Sequence, residues 1–113
     1  MNNMNLTSAE QSKKLIELGI DENTRDYVVF DNVTGNHQFP AWTAEKLLEL
    51  MPSEDNFSDE NYIDMRLCIG YCHIDYINAW DGIIHTESAE TLLETAFNMM
   101  CWILKHNKEL KYE

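Results

Sequence analysis

The chain has 113 residues, 44% of them hydrophobic and 11% aromatic, enough for one domain with its own core and too few for two. That composition excludes a disordered chain, and the apolar runs are too short to span a bilayer. The formal net charge is -12, and between Leu47 and Leu104 Arg66 is the only basic residue among eleven acidic ones. Direct nucleic-acid binding, which draws on Lys and Arg to neutralise phosphates, is therefore disfavoured, while a basic protein partner is allowed.

The opening MNNMNLTSAE has neither the basic start nor the apolar core of an export signal, and three cysteines, an odd number, read as reduced thiols. A cytoplasmic protein is expected, with residues 1–6 and 108–113 as flexible ends of a single domain. Thr7 with Glu10 and Ser8 with Gln11 form overlapping capping-box patterns, and Gly19 closes the helix they open, Ser8 to Leu18, with Leu15 and Ile16 facing inward. Tyr27 to Phe30 is rich in strand formers and predicts the first strand. A loop from Asn32 to Pro40 then leads to a second helix capped by Thr43, with Trp42 stapled on Leu47, a buried stripe of Ala44, Leu47, Leu48 and Met51, and a stop at Pro52. Residues 53–60, SEDNFSDE, read as an acidic loop.

From Tyr62 the apolar period shortens to two, and a turn at Gly70-Tyr71 predicts a hairpin pairing Leu67 with Ile74, Met65 with Tyr76, Arg66 with Asp75 and Cys68 with His73. Arg66 and Asp75 would then form an exposed ion pair. A second hairpin at Asp81-Gly82, with a loop of two residues or of three plus a bulge, returns the chain as Ile83 to Thr86. The last helix, Ser88 to His106, is capped by Ser88 or Glu87 and turns Leu92, Leu93, Ala96, Phe97, Met99, Met100, Ile103 and Leu104 to one side. The expected fold is α+β, order α-β-α-β-β-β-α, with an antiparallel sheet of three to four strands and the C-terminal helix across one face, Phe97, Met100 and Ile103 over Ile63, Met65, Leu67, Ile74 and Tyr76.

The segments FPAWTAEKLLELMP and ESAETLLETAFNMMCWILKHN resemble short proteins carried by prophages and mobile elements of gut bacteria. The likeness covers residues 39–106 and rests on hydrophobic and turn residues. It implies a fold and a mobile-element origin, and brings no substrate, cofactor or catalytic residue.

Three constellations bear on function. Cys68, His73 and Asp75 share one face of the predicted hairpin and supply zinc-type donors, with His85 within reach in one register, but the spacing matches no zinc signature and no metal or cofactor is expected. Cys72 and His73 are strand neighbours whose side chains point apart, which argues against a thiol dyad, and His37 has no assignable partner. Trp102 falls on the polar face of the last helix with Thr95 and Asn98, so it needs a cover from the first helix, the tail, or a second molecule. The composite expectation is a small acidic interaction or accessory protein without catalytic activity, with a homodimer through Trp102 as one form. An acidic decoy for a nucleic-acid-binding partner and a metal-dependent enzyme are the alternatives.

Overall fold

The computed structural model describes residues 6–31, 37–51, 61–68, 70–78 and 80–106. It is an α+β fold of three helices and two antiparallel sheets, in the expected order apart from one added strand. Helix α1, Ala9–Leu18, opens on the Ser8–Gln11 capping box, and Gly19 closes it at φ 110°, a left-handed conformation that glycine adopts without steric cost. Thr7, the other capping candidate, is buried instead, its hydroxyl 2.7 Å from Ser12 Oγ. Ser12 and Leu15 therefore form the inward face of α1, and Ile16, expected inside, is 37% exposed. Leu6, counted with the flexible end on sequence, is bridged to Thr43.

Strand β1, Tyr27–Asp31, pairs with β2, His37–Ala41, a segment read from sequence as loop because HQFPA is polar and contains proline. Pro40 is tolerated because among the described residues this sheet has two strands, so each has an edge that needs no donor. Helix α2, Ala44–Leu50, starts at Thr43, which accepts from the Lys46 N–H while its own hydroxyl donates to Asp26. Its buried residues are Ala44, Leu47 and Leu50, with Leu48 only half-buried. Met51 is extended at ψ 156°, as a residue preceding proline must be, and ends the helix. The acidic loop 53–60 lies outside the described residues, as do residues 107–113.

The second sheet runs β3 (Asn61–Cys68), β4 (Tyr71–Asn78), β5 (Gly82–Ala89) in that spatial order. The first hairpin turns between Cys68 and Tyr71, which pair with each other, with Gly70 at φ 85°, so Tyr71 belongs to β4. Every β3 partner is displaced by two residues from the expected register: Met65 pairs with Ile74, Arg66 with His73, Leu67 with Cys72 and Cys68 with Tyr71. A shift of two preserves the face of each side chain, which is why the apolar alternation alone could not separate the two pairings. The Arg66–Asp75 pair and its exposed setting are thus corrected, since Asp75 faces Asp64 and is 1% exposed.

In the second hairpin Asn78 pairs with Gly82 across a three-residue loop, and the register slips between Tyr76 and Ile77, leaving Ile84 as the extra residue of a bulge. Strand β5 consequently runs on to Ala89. Helix α3, Leu92–Lys105, starts at Thr91, whose hydroxyl accepts from the Glu94 N–H, so neither Ser88 nor Glu87 is the cap.

Helix α3 packs on β4 and β5 and on α1 and α2, so it is covered along more than one side. Ala96, Met99, Met100 and Ile103 are wholly buried, and the core they form takes in Leu15, Trp42, Leu47, Met51, Ile74 and Tyr76. Burying one large apolar side chain stabilises by about 1.5–3 kcal/mol, so this helix holds both sheet and flanking helices in place. The sheet side of α3 carries Thr95 and Trp102, not only the expected apolar row: Thr95 is 0% exposed, and its hydroxyl donates to the carbonyl of Thr91 at 2.8 Å.

Candidate functional site

The β4–β5 ladder carries polar clusters on both faces and an exposed tip. On the face toward α3, His85 lies opposite Tyr76 and stacks on Trp102, ring centroids 4.4 Å apart and planes within 5°. His106, one helical turn beyond Trp102, covers another part of the indole at 4.5 Å, and its Nδ1–H donates to the Trp102 carbonyl at 2.9 Å. Tyr76 meets the same ring at 5.1 Å and 56°. Glu87 Oε2 holds His85 Nε2 at 2.5 Å, fixing the imidazole against the indole. The sheet and His106 therefore supply cover for Trp102, while the tail lies outside the described residues.

Among the residues named for interaction, Trp102 is half-buried in this stack, Thr95 is interior and only Asn98 is exposed.

The opposite face holds His73 and Asp75 of β4 with their cross-strand neighbours Ser88 and Thr86 of β5. His73 Nε2 is 2.7 Å from Asp75 Oδ1, the Thr86 hydroxyl donates to the same oxygen at 2.7 Å, and Ser88 Oγ is 3.2 Å from His73 Nδ1. The observed register changes the metal constellation. Cys68 lies opposite Tyr71 instead of His73, and His85 is on the other side of the sheet from His73 and Asp75. Among the described residues no group of three His, Cys, Asp or Glu side chains is placed to hold a metal ion. Cys72 and Cys101 are free, buried thiols. Burial pushes the Cys101 thiol above its ordinary pKa, Lys14 and Lys105 pull it back, and Glu87 adds to the rise. A thiol held protonated in this way packs as a small apolar group rather than acting as a nucleophile.

The tip of the β4–β5 hairpin was missed in the sequence reading. Asn78 Oδ1 accepts from the N–H groups of Trp80 and Asp81, both at 2.9 Å, which organises the loop without covering it. Trp80 is 82% exposed, and Ile83 and Ile84 just after it are 59% and 43% exposed. No family model, curated protein or solved structure matches the chain. Function must therefore be read from this geometry.

An exposed tryptophan is costly to keep in water, and two isoleucines beside it extend the apolar surface along one strand. Strand β5 is also an outer strand of its sheet, so alternate backbone N–H and C=O groups point away from β4. Apolar anchors and an open strand edge are the two elements by which an extended peptide segment is bound. The signal for this in the sequence was Trp80-Asp81-Gly82, where a large aromatic stands inside a turn that needs none. No helix among the described residues is long and apolar enough to cross a membrane.

Proposed function

We propose that this chain is a small acidic interaction protein that binds a basic protein partner through the β4–β5 hairpin. The observation that carries this reading is Trp80, exposed at the hairpin tip and continued by Ile83 and Ile84 along an outer strand. Tryptophan is the residue type most enriched at binding hot spots, and here it has no role in the core. The net charge of -12, with Asp81 exposed at the same tip, favours a partner bearing Lys and Arg around an apolar segment. Charge would steer the encounter, and the indole with its two isoleucines would hold the complex.

The test is affinity capture from the native host with the wild-type chain and a Trp80→Ala variant, followed by titration of the recovered partner. Trp80→Ala is expected to weaken binding by about 2 kcal/mol or more, about 30-fold, with an unchanged urea midpoint because the side chain contributes nothing to the core. Association should slow as salt is raised. Equal capture by both forms, or a recovered partner without a basic surface, would remove the proposal.

A further inference from the structure

The Ser88–His73–Asp75 cluster is a chain of hydrogen bonds with chemistry of its own. Asp75 is 1% exposed and accepts from the Thr86 hydroxyl, which keeps its carboxylate in place. An ionised carboxylate can only accept, so at 2.7 Å the His73 Nε2 carries the proton. His73 Nδ1 is then left as a lone-pair acceptor, 3.2 Å from the Ser88 hydroxyl. The imidazole is partly open to solvent, with 26% of its side chain accessible, and Ser88 is exposed. A hydroxyl nucleophile that can be reached from solvent, a base beside it and a buried carboxylate orienting that base are the parts from which acyl-transfer sites are built. The ring is used in the reverse sense to the common arrangement, with the carboxylate on Nε2 and the serine on Nδ1, and the proton path is the same.

We infer that Ser88 is a nucleophile activated by His73 and Asp75, able to take an acyl group from neutral or cationic esters. Ser88 Oγ adds to the ester carbonyl carbon while its proton passes to His73 Nδ1, and Asp75 stabilises the resulting imidazolium at Nε2. As the tetrahedral adduct collapses, the bond to the alcohol oxygen breaks and His73 returns the proton to it, leaving acyl-Ser88. Water, deprotonated by His73, then releases the acid and restores the hydroxyl. Because β5 is an outer strand, either the Ser88 N–H or those of its two neighbours point away from β4, so a donor for the oxyanion lies within one residue of the nucleophile. Glu90 and Glu94, both exposed just beyond Ser88, and the net charge of -12 repel anionic acyl donors and define the substrate class.

The test uses the full chain with a neutral fluorophosphonate probe, read by peptide mass spectrometry, and with p-nitrophenyl acetate. A single adduct on Ser88 is expected, together with ester hydrolysis that disappears in Ser88→Ala. His73→Gln should slow labelling by about 100-fold, the contribution of a positioned general base, while circular dichroism stays native because the side chain is partly exposed. For Asp75, a positioning residue, Asp75→Asn should lower kcat and leave KM unchanged, and Asp75→Glu should restore part of kcat. Labelling spread evenly over several serines, or hydrolysis that persists in Ser88→Ala through free imidazoles, would overturn the inference.

Discussion

Trp42→Ala is expected to lower the unfolding free energy by about 3–5 kcal/mol, read as a shift of the urea midpoint. Trp42 is 0% exposed in the central cluster, and its removal leaves a cavity bordered by residues that rigid elements hold apart. It is also a hydrogen-bonded junction. Its indole N–H donates to Thr24 Oγ1 at 3.0 Å, its backbone N–H donates to Thr7 Oγ1 at 3.1 Å, and its carbonyl accepts from the Thr7 N–H at 3.0 Å. Thr24 in turn donates to the Asp21 carbonyl, so the short 3-10 turn Glu22–Thr24 is tied to the core through this one ring. Trp42→Phe keeps most of the volume and loses only the indole N–H bond to Thr24, whose hydroxyl still donates to Asp21, so it should cost about 1–2 kcal/mol. Domains of this size are stable by about 5–15 kcal/mol in all, so the alanine variant gives up a large share of that stability and the phenylalanine variant a small one.

Trp102→Ala should cost about 2–3 kcal/mol, below the value for a fully buried ring because this indole is only half-buried. The loss has named parts: the contacts with His85, His106 and Tyr76, and the burial they give one another. Trp102→Phe should recover roughly half, since a smaller ring still stacks. A subunit-interface role predicts a different result, a change in molar mass by light scattering with little change in stability. We expect the mass of the Trp102→Ala protein to equal that of the wild type while the urea midpoint falls.

What could be read from sequence was local. The Ser8–Gln11 box, Gly19 and the Thr43 cap act within a few residues, and the structure uses each of them. Thr91 with Glu94 obeys the same spacing rule, and the true start of α3 was legible there had the apolar row not drawn the boundary back to Ser88. Strand β2 was hidden because in HQFPA only Phe39 favours a strand and Pro40 opposes one, until Tyr27–Asp31 offers it partners. The face of each β4 residue followed from alternation, but its partner did not, since two turn placements around Gly70 satisfy the same pattern. The Ser88–His73 contact and the stack on Trp102 were out of reach for one shared reason: both depend on where β5 is bulged, which leaves no mark on periodicity.

That bulge sets the phase of a whole strand. Up to Ile83 the β5 residues pair in one frame, and beyond Ile84 they pair in the next, which sends His85 and Glu87 toward α3 and Thr86 and Ser88 to the other side. Closing the bulge, with Ile84 drawn into the ladder opposite Tyr76, would continue the first frame. His85 would then lie opposite Asp75 and Glu87 opposite His73, and the tryptophan stack and the serine–histidine contact would vanish together. Point substitutions can damage either cluster alone, whereas a one-residue slip of this strand acts on both faces of the sheet at once; loss of the codon for Ile84 itself would remove the bulged residue and leave His85 opposite Tyr76 and Ser88 opposite His73.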